Sequence, residues 1–179
     1  MQKIIRGIKN RIRKFLGIHN PLMEWYIKEG LRLGRDVNIV PPINFGSEPY
    51  LISIGKKTTI SFDCAFITHD AATRVIRNLP DGNPDTGYFG PIKIGENCFI
   101  GARSTILAGV TIGDNTIIGA CSLVNKDIPS NVVAAGNPCK IICTLDEYRK
   151  KHKDDFMYMV NLTYERKKEF LLKYFRLNE

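Results

Sequence analysis

The stretch Ile94–Ile142, IGENCFIGARSTILAGVTIGDNTIIGACSLVNKDIPSNVVAAGNPCKII, carries an aliphatic residue at every sixth position: Ile94, Ile100, Ile106, Ile112, Ile118 and Val124. Glycine follows four of them (Gly95, Gly101, Gly113, Gly119), and a small or β-branched residue stands four places on (Cys98, Ser104, Val110, Thr116, Ser122, Ile128). A period of six fits neither the 3.6-residue turn of a lone helix nor the two-residue alternation of a strand. It marks short strands joined at corners, each burying one aliphatic residue: a β-solenoid. Three hexapeptides make a triangular coil of about 18 residues, and coils stack about 4.8 Å apart. Glycine after the buried aliphatic suits a corner that needs positive φ or no Cβ.

Upstream, the same period runs through Leu33, Ile39 and Phe45, is shifted by Ser47-Glu48-Pro49-Tyr50, and resumes at Ile54, Ile60 and Phe66. It halts between about Asp70 and Pro91. That gap holds Pro80, Asp81-Gly82, Asn83-Pro84 and Gly87, all turn formers, and a loop of this length without its own structure is usually functional. The expected fold is an all-β solenoid of about five coils over residues 33–143, with a loop at 71–91. Amphipathic helices precede it (1–32), and a helical extension follows (144–179).

The chain has 179 residues and a net charge of +8, yet the excess lies at its ends. Residues 1–19 hold six Lys/Arg and no acid, whereas residues 20–139 hold ten basic and eleven acidic residues. A solenoid without a basic stripe argues against nucleic acid as a partner. No apolar run is long enough to cross a bilayer, and basic residues interrupt the N-terminal apolar positions too often for a signal peptide. Residues 1–17 read instead as a basic amphipathic helix. It packs on the solenoid or a partner subunit, or makes peripheral contact with the inner membrane surface. Pro21–Leu31 reads as a second helix, with Trp25 and Tyr26 as packing residues. Five cysteines without a CxxC pair, three of them inside hexapeptides (Cys64, Cys98, Cys121), suggest reduced, buried thiols and a cytoplasmic setting.

The ending of the quoted stretch, KDIP followed by VVAAGNPCK, resembles the hexapeptide-repeat acyltransferases, in the branch of maltose, galactoside and capsular-polysaccharide O-acetyltransferases. SEPYLISIG and FITHD upstream are similar to the capsule-type members. The resemblance covers about residues 31–145. It implies a left-handed β-helix, a homotrimer with sites between subunits, acetyl-coenzyme A as cosubstrate without a metal, and a sugar, nucleotide-sugar or polysaccharide acceptor in surface polysaccharide biosynthesis. Left-handedness comes from the resemblance alone, since ordinary parallel crossovers are right-handed.

Acetyl transfer to a hydroxyl needs a base that titrates near working pH, and histidine does so without special tuning. Of three histidines, His19 and His152 lie in the charged ends, and His69 alone lies in the solenoid, where the repeat breaks. Position and resemblance make His69 the expected catalytic base. Asp70 and Glu48 are both candidates to orient it or to hold the acceptor; Glu48 lies 21 residues earlier, close to one coil. Arg74 and Tyr88, with Arg77, Asp81, Asp85 and Phe89, are expected around the acceptor pocket. By resemblance, Ala102 and Ala120 admit the pantetheine arm and Phe99 packs near the thioester. Asn125, Lys126, Gly136, Asn137, Pro138 and Lys140 match positions at the nucleotide end. Cys64 is expected to be buried rather than nucleophilic.

Three departures from the family stand out. Leu107 replaces a small residue and is expected to distort its corner. Asn125 stands in place of threonine. His69 comes two places earlier in its coil than in galactoside-type enzymes. Alternatives are N-acetylation of an amino sugar, O-acetylation of an antibiotic, or a non-catalytic solenoid. A zinc hydratase on this scaffold needs three convergent histidines, and one cannot supply them.

Overall fold

The computed structural model describes residues 21–177; the basic helix expected over residues 1–17, and His19, lie outside them. A short helix α1 (Pro21–Lys28) leads into the first coil, β1 (Arg32–Leu33), β2 (Asn38–Ile39) and β3 (Ile43–Asn44). The second is β4 (Ile52–Ile54), β5 (Thr59–Ile60) and β6 (Cys64–Phe66). After an excursion containing helix α2 (Thr73–Arg77) comes the third: β7 (Ile92–Ile94), β8 (Phe99–Ile100) and β9 (Thr105–Ile106). The fourth is β10 (Thr111–Ile112), β11 (Ile117–Ile118) and β12 (Leu123–Val124). A fifth begins with Ile128, bridged in parallel to Ile112, and continues as β13 (Val132–Ala135). Strand β14 (Lys140–Thr144) then turns back antiparallel to β13. The period-of-six reading carries no signal for β14.

The three faces are parallel sheets in the orders β1-β4-β7-β10, β2-β5-β8-β11-β13 (with β14 outermost) and β3-β6-β9-β12. Register stacks like on like. Ile54, Ile94 and Ile112 form one inner ladder, Ile60, Ile100, Ile118 and Ala134 a second, and Phe66, Ile106 and Val124 a third. All are at most 4% exposed. Each such aliphatic side chain contributes about 1.5–3 kcal/mol on burial, so repetition, not strand length, builds the core. At the N-terminal end Tyr26 of α1 is buried and meets Phe45 edge-on with ring centroids 5.2 Å apart. Trp25 is half-exposed beside it.

Where the residue four places after the aliphatic carries a hydroxyl or thiol, it has a polar task. Thr58 Oγ1 donates to the Gly95 carbonyl (2.9 Å), Cys64 Sγ to Gly101 (3.2 Å), Cys98 Sγ to Gly113 (3.1 Å), Ser104 Oγ to Gly119 (3.1 Å) and Thr116 Oγ1 to Pro129 (3.0 Å). Each buried donor therefore satisfies the carbonyl after the buried aliphatic of the next coil, a group the strand ladders leave over. Thr58→Val keeps the shape but orphans the Gly95 carbonyl and the Cys98 N–H that bonds Thr58 Oγ1 at 3.0 Å. We expect a loss of about 1–3 kcal/mol per unsatisfied group, read as a lower urea midpoint at unchanged m-value.

The glycines serve stacking rather than φ. Gly101 lies outside the left-handed region, but a Cβ there would come 2.7 Å from the Gly119 carbonyl carbon and 2.8 Å from Ala120 Cα. The left-handed residues come two places later and are mostly not glycine: Asn97, Arg103, Asn115, Cys121 and Asn131. The three asparagines bond side chain to side chain up the stack, at 2.8 and 3.1 Å. Cys121 corrects the expectation of three buried in-repeat thiols. Cys64 and Cys98 are buried, whereas Cys121 occupies a left-handed corner and is exposed. Leu107 does not distort its corner. Its N–H donates to Val124 O (3.0 Å) just as Ile67 N–H donates to Ile106 O (2.8 Å), and the half-buried side chain leaves the ladder unbroken.

The chain forms two compact units, one ending at Glu147 and the other starting at Tyr148. Helix α3 (Leu145–Lys151) follows β14, with the Thr144 hydroxyl and Glu147 carboxylate bonded at 2.8 Å at its start. In the second unit, helix α4 (Tyr164–Tyr174) opens at Thr163, whose side chain accepts from Arg166 N–H, and none of its residues is buried. Among the described residues, no helix is long and apolar enough to cross a membrane.

Candidate active site

The corner between the third and first faces is irregular in the first two coils. In coil one it carries Ser47, Glu48 and a single 3-10 turn (Pro49–Leu51), which lengthens that coil from 18 to 21 residues, as the register Leu33↔Ile54 shows. In coil two it carries Thr68 and His69, and the chain leaves for the excursion that returns at Phe89. The added turn places Glu48 directly beside His69, one coil away. His69 Nδ1 lies 2.9 Å from Glu48 Oε2. Thr68 Oγ1 donates to the same oxygen at 2.6 Å, and Ser47 Oγ donates to Oε1 at 2.8 Å.

Burial raises the Glu48 pKa, but the hydrogen bonds from Thr68, His69 and Ser47 outweigh it and hold the carboxyl below the usual carboxylate range. Glu48 is therefore ionised at neutral pH and can only accept. An acceptor-only carboxylate favours the tautomer with the proton on Nδ1, which leaves Nε2 as the acceptor nitrogen of the neutral ring. Because the folded pKa is lowered, this contribution to stability is full above the ordinary glutamate range. It is lost as pH falls through the lowered value.

His69 lines an open cleft of about 360 Å³ with Asp70, Ala71, Thr73, Arg74, Arg77, Gly87, Tyr88 and Phe89. A backbone bridge joins His69 to Phe89, and their ring centroids lie 5.9 Å apart. The excursion has structure of its own, contrary to the turn-only reading: α2, held by Asp70, whose Oδ1 accepts from Ala72 N–H (2.8 Å). That bond turns the Asp70 carboxylate to the loop rather than to the imidazole, so of the two candidates Glu48 is the one bonded to His69. Arg74 and Tyr88, with Arg77 and Phe89, line this cleft, whereas Asp81 and Asp85 do not. Thr68 was not anticipated. The signal for it was the inside-outside alternation from Phe66, which puts Thr68 indoors (1% exposed) next to a surface histidine. Cys64 is buried, and burial pushes its thiol pKa up, the reverse of an activated nucleophile.

The residues expected to hold a cosubstrate fall on two different edges of the prism. Asn125 and Lys126 follow β12 at the same corner as Glu48 and His69, two coils up the stack from His69 and three from Glu48. Ala102, Ala120 and Gly136 succeed one another at the corner between the second and third faces, with Cys121 N–H bonded to Ala102 O (2.8 Å) and Leu123 N–H to Gly136 O (3.0 Å). Asn137, Pro138 and Lys140 continue that edge at the last coil, and Phe99 stands exposed on the second face. A single chain does not bring the two sets together.

The sequence model of the family described as "Bacterial transferase hexapeptide (six repeats)" matches residues 91–126. The chain is 42% identical over 153 residues to protein CapG of Staphylococcus aureus, covering 84% of this chain and 87% of that protein. It is 31% identical over 147 residues to the putative acetyltransferase YvoF of Bacillus subtilis (strain 168), covering 80% and 76%. Among solved structures, a galactoside acetyltransferase in complex with coenzyme A superposes with a TM-score of 0.52 at 28% identity, covering 89% of this chain and 86% of that one. The stacked coils are accordingly those of a left-handed β-helix. Likeness this continuous, from the first coil past the last, means that the chain belongs to the hexapeptide-repeat acyltransferases and is an acetyltransferase.

Proposed function

We propose that the protein transfers the acetyl group of acetyl-coenzyme A to a sugar hydroxyl in polysaccharide assembly, directly and without an acyl-enzyme. The observation that carries this reading is the Glu48–His69 pair at 2.9 Å on the rim of an open cleft. His69 Nε2 takes the hydroxyl proton while the hydroxyl oxygen attacks the thioester carbonyl. A backbone N–H steadies the oxyanion of the tetrahedral intermediate. The C–S bond then breaks, and the imidazolium returns its proton to the departing thiolate. The products are an acetyl ester and free coenzyme A. Glu48 fixes the tautomer and stabilises the transient imidazolium, as the third member of a nucleophile–base–orienter set does.

The separation of the two edges supports a homotrimer. The Ala102–Ala120–Gly136 edge of one copy, facing the His69 corner of the next, makes a groove long enough for an extended cosubstrate. The pantetheine arm lies against the small residues, Phe99 packs at the thioester, and Asn125, Lys126, Asn137, Pro138 and Lys140 meet the nucleotide end. The two lysines there act as point charges for phosphate. Incubation with acetyl-coenzyme A and sugar acceptors tests the reading: free thiol must appear together with a one-acetyl mass gain on the sugar. Thiol release that never depends on a sugar counts against it.

Glu48 acts as a positioning residue. Glu48→Gln offers the imidazole an amide that can either accept or donate, so the productive tautomer is no longer enforced. We expect kcat to fall about 10²-fold with KM for acetyl-coenzyme A unchanged, and Glu48→Asp to recover part of the loss. A rise in KM alone would show a binding role instead.

A further inference from the structure

Arg74 and Arg77 stand three residues apart on α2, so their side chains share one side of that helix, and both line the cleft that His69 lines. Arg77 is anchored: its Nε donates to Thr86 O at 2.6 Å across the loop, which leaves its terminal N–H groups for another partner. Among the described residues neither guanidinium is ion-paired, whereas Arg35 and Arg103 on the coils each sit beside an aspartate, at 3.8 and 3.7 Å. The one carboxylate lining the cleft, Asp70, already accepts from Ala72 N–H. Asp70 keeps its charge but bridges to neither arginine, so the cleft presents two guanidiniums against one carboxylate, an excess of one positive charge, beside the exposed rings of Tyr88 and Phe89. A neutral sugar offers that pair single hydroxyl acceptors, whereas an anion also answers its charge. The planar fork of a guanidinium matches a carboxylate or a phosphate, which it grips through two parallel hydrogen bonds.

Resting on the acetyltransferase reading, we propose that the acceptor is an anionic sugar, whose carboxylate or phosphate is held by Arg74 and Arg77 while a hydroxyl is presented to His69. The aromatic rings carry the sugar face and the arginines supply orientation, the usual division of labour in a site lined by rings and a few polar groups.

The test uses methyl glycosides of uronic acids in gluco, galacto and manno configuration, their neutral hexose counterparts, and the corresponding sugar 1-phosphates. Acetyl transfer is followed by thiol release, and binding by calorimetry on the His69→Ala protein. At least one anionic series should show kcat/KM about 10- to 100-fold above its neutral counterpart, the worth of one charge-assisted contact. That preference should shrink toward parity in Arg74→Met and Arg77→Met and weaken with added salt. A preference confined to uronosides identifies the carboxylate, and one confined to the 1-phosphates the phosphate. Equal turnover of charged and neutral sugars, or an equal loss on all of them in the arginine variants, overturns the proposal. Arginine-dependent binding of anionic sugars without acetyl transfer sustains it while removing the proposed reaction. Acetylation of neutral sugars with no anion binding does the reverse.

Discussion

His69→Ala is expected to lower kcat for acetyl transfer by about 10²–10⁴-fold, the range that a positioned general base supplies, and to leave acetyl-coenzyme A binding intact. The imidazole sits on the rim of the cleft, not under the coils, so its removal opens no core cavity and the protein remains folded. Among the described residues no neighbour is set up to substitute. Glu48 is held ionised below the usual carboxylate range by Thr68, His69 and Ser47, which makes it a weak base. The Asp70 carboxylate is turned to the loop, where its Oδ1 accepts from Ala72 N–H. Among the described residues the other histidine, His152, is paired with Asp155 at 2.9 Å in the second unit. A single-turnover assay with bound acetyl-coenzyme A separates chemistry from product release. Retention of more than about a tenth of the rate, well short of the loss expected of a base, would remove His69 from that role.

Phe66→Ala should cost about 3–5 kcal/mol, the usual toll for emptying a buried aromatic site. Phe66 is fully buried, packs at a 37° tilt against Phe45 with ring centroids 4.8 Å apart, and registers with Ile106 above it. Rigid strands in two coils prevent the space from collapsing, so the cavity term is large. The side chain also lies two and three residues before Thr68 and His69, which hang from the same strand. Activity per folded molecule should therefore fall along with the thermal midpoint, measured at fixed protein concentration. Cys121→Ala, at an exposed corner, is the control and should stay within about 0.5 kcal/mol. A Phe66→Ala protein as stable as that control would mean that the ladders are not the source of the stability.

The coils were readable because each residue in a hexapeptide does one job in every turn, so chemistry shows as period. From Ile94 to Val124 the aliphatics, the small donors and the glycines all repeat, and structure follows. The Glu48–His69 contact was readable only as a spacing of 21. What made it a bond was the three-residue turn Pro49–Leu51, and spacing alone could not choose between Glu48 and Asp70. Strand β14 was hidden because an antiparallel return obeys no six-residue rule. The division of the expected cosubstrate residues between two corners was equally invisible, since a linear motif does not say which edge of a triangle it lands on. The same holds for the left-handed corners, which fall on Asp, Lys, Asn, Arg and Cys where glycine was the obvious candidate.

Strand β14 also decides how long this molecule can be. A stack of parallel turns has no intrinsic stopping point, and a bare final turn invites another copy to dock end to end. By doubling back on β13, β14 takes the hydrogen-bonding edge that a sixth turn would need on the second face, while α1 packs its buried Met23 and Tyr26 at the opposite end. Extra 18-residue modules could thus be spliced into the middle of the tower, where each floor already accepts another above it, but not onto its roof. The backward strand is what makes a finite enzyme out of an architecture otherwise suited to fibres.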